Sequence, residues 1–350
     1  MQRGHKVTIF CATSDMQPDA IPIVTLPVRT FSNHARNLAF AGALSKATAG
    51  KFDVVVGFNK MPFLDVLYCA DPPIPKPIWR YLSPRIRGYE RLDRTCFAEN
   101  STTRLLLLAS FQKQQYIDHY GTPADRMVVL PPTLEKTRIL TADDRGKARA
   151  EVRKRFALDH DALVWLFLGR YPKSKGLDRV IRALKTVPEA RCVCIGFDRS
   201  AFRSSGLEQL ARQLKVMDRL ILLGRCDDDD IPRMIAAADV LVHPSRKDVT
   251  GTVILEAIGN GLPVVTSEVC GYSTHVQQSA AGVVIREPFD ETQFQAALKV
   301  AKSPAVLSDW HQGALRYGAH ADLYSGLDTA VEEIEQVGLR KTRSTGAAFG

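Results

Sequence analysis

The second half of the chain alternates short apolar runs with longer amphipathic segments, and this alternation constrains the fold more than any other feature of the sequence. The apolar runs are predicted as strands at residues 163–168, 191–195, 220–223, 240–242, 263–266 and 282–285. Apolar strands that alternate with helical segments are typical of a parallel sheet with helices on both faces. The sequence therefore predicts an α/β fold with a doubly wound parallel sheet in this half.

The first half shows the same kinds of element in a less regular order. Strands are predicted at residues 5–12, 21–28, 52–57, 104–110 and 127–130, and helices at 32–49 and 111–120. A parallel α/β domain usually begins with a strand and a turn that lead into its first helix, whereas Arg3, Gly4 and His5 resemble the end of a helix. We therefore expect the first domain to lack its opening strand, loop and helix. Open edges and exposed apolar side chains are expected beside the buried strands predicted at 7–11 and 54–56.

Two prolines and a charged stretch mark the boundary between the halves. A chain of 350 residues is long enough for two domains. Pro131 and Pro132 interrupt the pattern, and charged residues are frequent at 135–155. The predicted division is a first domain at 1–135, a second domain at 136–325, and a C-terminal segment at 326–350. This segment is predicted to be a helix followed by a tail that is disordered from Arg340 onward.

Composition and charge argue against several classes of protein. No run of about 18 apolar residues predicts a transmembrane helix, and no secretory segment is recognised after Met1. The seven cysteines contain no C-x-x-C pair, which favours buried thiols over disulfides or a zinc site. The net charge of +9 favours an anionic partner. No zinc-finger spacing or aromatic RNA-binding motif points to nucleic acid.

A polar loop and a helix follow the fourth predicted strand of the second half. Asp248 lies in the loop, and Glu256 lies about one turn inside the helix that Thr252 is expected to cap. The backbone N–H groups of Gly251, Thr252 and Val253 can bind a phosphate at the helix N-terminus. Glu256 can accept hydrogen bonds from a ribose diol. The same residues also fit an ordinary βαβ turn with a surface acid, so their spacing alone leaves both interpretations open.

A basic loop follows the first predicted strand of the second half. Arg170 and Lys175 lie in the segment L-G-R-Y-P-K-S-K-G, at the carboxyl end of a strand, where open α/β sheets bind ligands. Two cations there suit a diphosphate and can neutralise charge on a departing phosphate. A solvated basic loop is the alternative. The expected convergence of two cations, a helix N-terminus and a diol acceptor at one sheet edge favours a nucleotide site.

These motifs resemble those of the retaining glycosyltransferases of family 4. The matching patterns are L-G-R-x-x-x-x-K-G, D-x-x-V-x-P-S, and an acid-x7-E followed by G-L-P-V-V, and the resemblance covers most of the chain. It implies the GT-B fold, in which two Rossmann-like domains face each other across a cleft. The segments V-V-G-F-N-K-M-P-F-L-D-V at 55–66 and S-N-H-A-R-N at 32–37 are similar to glucosyltransferases of the lipopolysaccharide core within that family. Those enzymes use UDP-glucose.

The resemblance implies a role for each matching position. It implies catalytic roles for Asp248, which contacts the transferred sugar, and for Arg170 and Lys175, which bind the UDP diphosphate. The nucleotide-sugar-binding residues that it implies are Gly251, Thr252, Val253 and Glu256. The acceptor-binding residues that it implies in the first domain are Asn33, Arg36, Asn59, Lys60 and Asp71. No cofactor and no metal are expected, since the UDP-sugar is a substrate.

The chain departs from the family pattern in three places. Asp248 stands where glutamate is usual and is shorter by one methylene, Ser174 stands where a basic residue is frequent, and the family's amino-terminal glycine-rich loop has no counterpart. The expected activity is retaining transfer of glucose from UDP-glucose to an inner-core heptose of lipopolysaccharide. Two alternatives stay open: the same fold with another UDP-hexose or acceptor, and a non-catalytic, membrane-associated remnant that binds nucleotide sugars.

The stretch 72–97 interleaves arginines with aromatic residues such as Trp79 and Tyr89. It fits either a charged surface insertion or a patch that docks on an anionic membrane surface, and a lipid-linked acceptor favours the patch. The expected location is cytoplasmic and peripheral on the inner face of the cytoplasmic membrane. His243 is expected to be structural, and the acidic run at 227–230 is expected to cap the helix that follows it.

Overall fold

The computed structural model describes residues 3–15, 21–30, 32–71 and 83–347. The chain divides into two compact units. The first unit consists of residues 1–130 together with 328–350, and the second consists of residues 131–327. The C-terminal residues therefore return to the first unit, a connection that the sequence did not predict.

The first unit contains two parallel sheets. Its strands are β1 (Ile9–Cys11), β2 (Ile23–Thr25), β3 (Val56–Gly57), β4 (Val66–Cys69), β5 (Arg104–Leu107) and β6 (Met127–Val129). Among the described residues, β1 pairs with β2, and β3 to β6 form a separate four-stranded sheet in sequence order. The side chains of β1 and β2 are partly or fully exposed, so the prediction of a buried strand at 7–11 is wrong. Of the run predicted at 52–57, Val56 and Gly57 form the strand.

Three helices cover the four-stranded sheet, namely α1 (Asn33–Thr48), α2 (Pro84–Phe97) and α3 (Phe111–Tyr120). The Ser32 side chain caps α1 as predicted, by accepting a hydrogen bond from the backbone N–H of Ala35. Phe97 of α2 and Tyr116 of α3 are fully buried and stack with their ring centroids 4.2 Å apart. The aromatic pair and the strand leucines form the core of this unit.

The second unit is a doubly wound α/β domain, as predicted. Its strands are β7 (Leu163–Leu168), β8 (Ala190–Ile195), β9 (Leu220–Gly224), β10 (Val240–His243), β11 (Val264–Ser267) and β12 (Gly282–Ile285). They pair in parallel in the order β12-β11-β10-β7-β8-β9. Trp165, Leu166 and Phe167 of β7 are fully buried, as expected for a central strand with helices on both faces.

Helices surround this sheet and connect its strands. They are α4 (Ala142–Arg155), α5 (Leu177–Thr186), α6 (Arg199–Ser204), α7 (Leu207–Gln213), α8 (Ile231–Ala237), α9 (Thr252–Gly259), α10 (Ser273–Ser279), α11 (Glu291–Val300) and α12 (Pro304–His320). The chain builds the sheet outward from β7 in one direction and from β10 in the other. The loops after β7 and β10 therefore flank a topological switch point, the place where open α/β sheets bind their ligands.

The last helix, α13 (Gly326–Ala347), packs mostly on the first unit. Ala330 lies in a small core with Val66 and Leu106, and Glu333 forms an ion pair of 2.9 Å with Arg104. The helix extends to Ala347, so the disorder predicted from Arg340 is wrong for residues 340–347. The C-terminal helix is thus longer than predicted, and Lys341 in its last part forms an ion pair of 2.9 Å with Asp65 of the first unit.

Candidate active site

The loops that follow β7 and β10 are in direct contact. Gly176 ends the first loop with φ +84°, and a Cβ atom there would lie 2.0 Å from the carbonyl oxygen of Pro244. The backbone N–H of Arg246 donates to the carbonyl of Ser174 over 2.9 Å. Only glycine fits between the two segments at this position, so the close approach of the loops is fixed by the sequence.

An ion pair braces the same two loops from the side. The guanidinium of Arg246 donates to both carboxylate oxygens of Asp178 over 2.7 Å each, and it also donates to the carbonyl of Lys173. Burial opposes the ionised form of Asp178, but its hydrogen bonds with Arg246 and Arg182 outweigh that effect and lower its pKa. Two-point contacts between guanidinium and carboxylate fix orientation as well as distance. The loops therefore provide a rigid support for the side chains that they carry.

Asp248 is the centre of the candidate site. Its Oδ2 atom accepts a hydrogen bond of 2.6 Å from Nζ of Lys175 and lies 3.0 Å from Nε2 of His243. Its Oδ1 atom accepts a hydrogen bond of 3.1 Å from the backbone N–H of Gly251. Lys175 and Gly251, which the sequence assigned to a nucleotide-sugar site together with Asp248, thus both contact the Asp248 carboxylate.

His243 is a member of this cluster that sequence reasoning treated as purely structural. It is the last residue of β10, its side chain is 1% exposed, and its carbonyl accepts a hydrogen bond from the hydroxyl of Thr266 on β11. The sequence did contain a feature that points to a site role for His243. It is a polar residue at the end of an otherwise apolar strand, directly before the ligand-binding edge of the sheet. A polar side chain is rarely buried there without a partner, and the partner is Asp248.

His243 and Asp248 shift each other's pKa values. Burial opposes protonation of His243, but the hydrogen bond with Asp248 and the proximity of Cys270 outweigh that effect and raise its pKa to about 9. Burial opposes ionisation of Asp248, but the hydrogen bonds from His243 and Lys175 outweigh it and lower the pKa of the carboxyl. The cluster therefore holds two cations and one anion near neutral pH.

The helix α9 begins beside this cluster. Its N-cap is Gly251, with φ +75° and no side-chain cap, so the prediction of Thr252 as the N-cap is wrong. A glycine N-cap leaves no side chain to hydrogen-bond the first N–H groups of the helix. Thr252 is exposed and Val253 is partly exposed. The backbone N–H of Gly251 is already donated to Asp248, which leaves those of Thr252 and Val253 for an anion, and the predicted phosphate-binding role stays a prediction.

Glu256 lies one turn further along α9 and has a different environment from Asp248. Burial raises the pKa of its carboxyl, and the nearby Arg138 offsets this only partly. Arg138 forms an ion pair of 3.1 Å with Asp228 in the acidic run. The last residue of that run, Asp230, is the N-cap residue of α8, as predicted, although its side chain makes no cap hydrogen bond.

Arg170 stands apart from the cluster. Its side chain is exposed, and within the part of the chain that the structure describes it makes no ion pair or side-chain hydrogen bond. It follows β7 directly, as predicted, and so lies at the carboxyl edge of the sheet. The two predicted diphosphate-binding cations therefore differ, since Lys175 is held by Asp248 and Arg170 is available to a ligand.

Comparisons with known proteins show to which family this chain belongs. A sequence profile described as glycosyl transferases group 1 matches residues 148–314. Over 344 residues, the chain is 32% identical to the lipopolysaccharide glucosyltransferase WaaG of Escherichia coli (strain K12), a match that covers 95% of this chain and 91% of that protein. This chain is a group 1 glycosyltransferase. The prediction of an enzyme of this family is confirmed.

Solved structures agree with this assignment. The glycosyltransferase matches the crystal structure of WaaG, described as involved in lipopolysaccharide biosynthesis, with a TM-score of 0.85 and 30% identity over 95% of this chain and 92% of that chain. The GT-B fold class predicted from the sequence is thereby confirmed. The Anabaena protein HepE, solved in complex with UDP and glucose, matches with a TM-score of 0.69, 18% identity, and coverage of 90% of this chain and 86% of that chain. This second likeness shows the fold alone.

More distant curated relatives share only part of their length with this glycosyltransferase. D-inositol 3-phosphate glycosyltransferase of Geodermatophilus obscurus is 29% identical over 257 residues, which cover 69% of this chain and 56% of that protein. In the described ranges of the glycosyltransferase, every helix is too short or too polar to cross a membrane.

The predicted acceptor-side residues of the glycosyltransferase fall into two groups in the first unit. Asn59, Lys60 and Asp71 line one small depression, together with Phe58 and Tyr68 and with three apolar residues of β4 and its end. Asn33 and Arg36 are exposed on the first turn of α1, where the Arg36 guanidinium donates to Oδ1 of Asn33 over 3.1 Å. The depression contains none of the α1 residues.

Lys60 is less available to a ligand than the sequence implied. Its ammonium lies 3.3 Å from Oδ1 of Asp93, which is 1% exposed, and 5.8 Å from the ring centroid of Phe97. Lys60 therefore compensates the charge of a buried aspartate on α2 while it lines the depression. A change at this residue affects the core of the first unit as well as the depression.

A metal ion is a conceivable occupant of the Asp248 cluster. Among the described residues, His243, Asp248 and Cys270 bring one ligand atom each to within 4.8 Å of one another. The ammonium of Lys175 already lies on the same carboxylate oxygen, and the pKa of His243 is raised so that the imidazole retains a proton. Both features disfavour a cation, because a metal needs a neutral imidazole and free carboxylate oxygens. The absence of a required metal stays a prediction.

Proposed function

We propose that this glycosyltransferase transfers glucose from UDP-glucose to an inner-core heptose of lipopolysaccharide, with retention of the anomeric configuration. The observation that carries the proposal is the similarity to a lipopolysaccharide glucosyltransferase over nearly the whole of both chains. The geometry of the second unit supports it, because cations, a helix N-terminus and two carboxylates lie at the switch point of the sheet.

The donor side of the proposed reaction is built by the second unit. Arg170 and Lys175 bind the diphosphate of the donor, and the N-terminus of α9 adds backbone N–H groups. Glu256 accepts hydrogen bonds from the ribose diol, and Asp248 contacts the sugar that is transferred. Negative charge grows on the phosphate as the bond to the sugar breaks, and the fixed cations stabilise that charge without a metal ion.

The acceptor side of the proposed reaction lies on the first unit. The depression of that unit combines an amide, a carboxylate and exposed aromatic surface, and Phe58 in it is 69% exposed. Such a mixture suits a sugar, which presents hydroxyl groups on its edge and apolar C–H groups on its faces. Asn59 and Asp71 bind hydroxyl groups of the acceptor in this proposal.

The helix α2 supplies the proposed membrane contact. Residues 72–82 of the predicted membrane patch lie outside the described residues, and the remainder of the patch is Ser83 and α2. Arg85, Arg87, Arg91 and Arg94 are exposed on α2, whereas its opposite face is buried in the core of the unit. Helical spacing places Arg87, Arg91 and Arg94 on one face, and Arg85 lies beside Tyr89 near the start of the helix. These cations suit anionic headgroups and support the proposed peripheral, cytoplasmic location on the inner face of the membrane.

The test of the activity is a transfer assay. The purified chain is incubated with a set of UDP-sugars and with core acceptors truncated at successive sugars, with and without EDTA. We expect glucose transfer to a heptose-terminated acceptor, an α-linked product by NMR, and no loss of rate with EDTA. Transfer of another hexose, a β-linked product, or loss of activity with EDTA would each contradict the corresponding part of the proposal.

The test of the membrane contact is binding to liposomes that contain anionic lipid. Changing Arg85 and Arg87 to glutamate is expected to release the protein, and binding of the unchanged protein is expected to fall with added salt. The matched control changes the exposed Lys147 and Lys154 of α4 to glutamate, which alters net charge equally and leaves α2 intact. Equal release by both pairs of changes would show that net charge, and not α2, governs binding.

A further inference from the structure

The carboxylate of Asp248 binds two cationic side chains through a single oxygen. Lys175 donates to Oδ2 over 2.6 Å, and His243 approaches the same atom to 3.0 Å. The other oxygen, Oδ1, is occupied by the backbone N–H of Gly251. The two cations differ in exposure, since the Lys175 side chain is 21% exposed and the His243 side chain only 1%. Lys175 can therefore reach a ligand, whereas His243 cannot.

A buried imidazole at the end of β10 has no packing advantage. The neighbouring strand residues Leu241 and Val242 are apolar and fully buried. The second ring nitrogen of His243, Nδ1, is buried and has no hydrogen-bond partner among the described residues. An unsatisfied buried nitrogen is destabilising, so an apolar residue would serve the core better. The contact with Asp248 is the contribution of His243 that an apolar residue could not make.

Lys175 has two competing partners in the proposed reaction. In this structure it is bound to Asp248, and in the reaction it must bind the diphosphate of the donor. The Asp248 side chain is only 11% exposed. If Lys175 moved away and nothing else compensated the charge, a mostly buried carboxylate would be left unpaired, which is strongly unfavourable. Some other cation must stay with Asp248 for Lys175 to be released.

We propose that His243 is a positioning residue that keeps the Asp248 carboxylate compensated and so allows Lys175 to exchange that carboxylate for the diphosphate of the donor. The inference rests on the proposed function, because it takes a nucleoside diphosphate as the ligand of Lys175. It assigns His243 no contact with the substrate. The imidazolium acts through Asp248, and its positive charge gives the Lys175–Asp248–His243 cluster a net charge that favours the diphosphate.

The test is a double-mutant cycle read out as UDP affinity by calorimetry. His243→Gln keeps an N–H donor but removes the charge, and it is expected to weaken UDP binding about tenfold, since Asp248 then retains Lys175. Asp248→Asn removes the carboxylate that competes for Lys175 and is expected to leave UDP affinity unchanged or higher. In the Asp248→Asn background, His243→Gln is expected to change UDP affinity less than about twofold. A merely structural histidine would cause the same loss in both backgrounds.

The pH profile gives a second, independent readout. The groups that face His243 are Asp248 and Cys270, with Lys175 on the far side of the carboxylate. The imidazolium is present below its raised pKa and is lost above it, so UDP affinity of the unchanged protein is expected to fall as the pH rises through about 9. This transition is expected to be absent in His243→Gln.

The matched control is His275→Gln. His275 is partly buried and bonds Tyr317 over 2.7 Å, on a helix of the same unit, and its change is expected to leave UDP affinity unaltered. Equal loss in both backgrounds of the cycle, or a pH transition that persists in His243→Gln, overturns the proposal. Failure of the unchanged protein to bind UDP would instead reject the proposed function, so the two failures are distinguishable.

Discussion

The two units of the molecule place their candidate residues in very different surroundings. In the second unit, the loops after β7 and β10 are braced by a bidentate ion pair, by a close backbone contact and by a carboxylate with three donors. In the first unit, the candidate residues are on exposed loops and on the first turn of α1, and their contacts are mostly local. A preorganised site stabilises charge without reorganising during the reaction, and the donor side needs this most.

The difference also separates the kinds of chemistry that each unit can perform. The second unit brings two cations and a helix N-terminus to one edge of its sheet, which suits a phosphate whose charge grows as it departs. The first unit offers an amide, a carboxylate and aromatic surface, which suits a sugar that changes charge little. We therefore expect substitutions in the second unit to act on catalysis and those in the first unit to act on acceptor binding.

The largest expected effect comes from removing a diphosphate-binding cation. Lys175→Ala and Arg170→Ala are each expected to slow transfer at least about a hundredfold, equivalent to roughly 3 kcal/mol of transition-state stabilisation. Single-turnover kinetics on folded protein measures this. Near-normal turnover in either variant would contradict the proposed difference between the two units, because catalysis would then not depend on the cations of the second unit.

The next effect concerns the contact between the two loops. Gly176→Ala places a Cβ atom against the Pro244 carbonyl at a positive φ and is expected to lower the free energy of unfolding by about 2 kcal/mol or more. The matched control is Gly206→Ala, which has φ +78° but open space around its Cβ. It is expected to cost only about 1 kcal/mol. Thermal melts compare the two, and equal losses would mean that the loop contact adds nothing beyond backbone strain.

A smaller effect separates the two carboxylates of the second unit. Glu256→Gln is expected to weaken UDP and UDP-glucose binding alike, by about tenfold, because both ligands carry the ribose. Asp248→Ala is expected to spare UDP and to impair the step that depends on the sugar. Calorimetry with both ligands measures this division. Identical losses in the two variants would contradict it.

The smallest effect is expected in the first unit. Asn59 is exposed and makes no side-chain hydrogen bond within the described ranges, so Asn59→Ala removes only a contact with the acceptor. A rise of about threefold in the KM for the acceptor is expected, with UDP affinity unchanged. A fall in kcat of the size expected for Lys175→Ala would show that the first unit takes part in the chemistry and would remove the contrast between the units.

Hydrophobic patterning predicted the second unit well. The strands predicted at 163–168 and 282–285 have the observed bounds, since both follow from local periodicity and turn residues. The pattern failed at residues 7–11, where an apolar run became a short strand with Ile9 41% exposed. Period-two alternation shows that a strand forms but does not show which element covers it.

The contacts of the candidate site were only partly predictable. The motif spacing placed Lys175 and Asp248 at one sheet edge because parallel strands end together there. The spacing could not show that Arg246 pairs with Asp178, since that contact joins segments 68 residues apart in sequence. It also could not show that the side chain of His243, five residues before Asp248, shares the carboxylate that Lys175 binds from another loop. Such pairings depend on the exact register of β7 and β10, and local sequence does not encode that register.

The return of α13 to the first unit makes the second unit an inserted domain. The two ends of the insertion meet, since the backbone N–H of Gly326 donates to the carbonyl of Pro132 and that of Leu134 donates to the carbonyl of Leu323. The first unit, in contrast, is assembled from both ends of the chain. Its core is complete only after Ala330 and its neighbours have been synthesised. During synthesis on the ribosome, the donor unit can finish folding while the acceptor unit is still incomplete. Loss of the last helix would thus damage the half of the enzyme that is translated first.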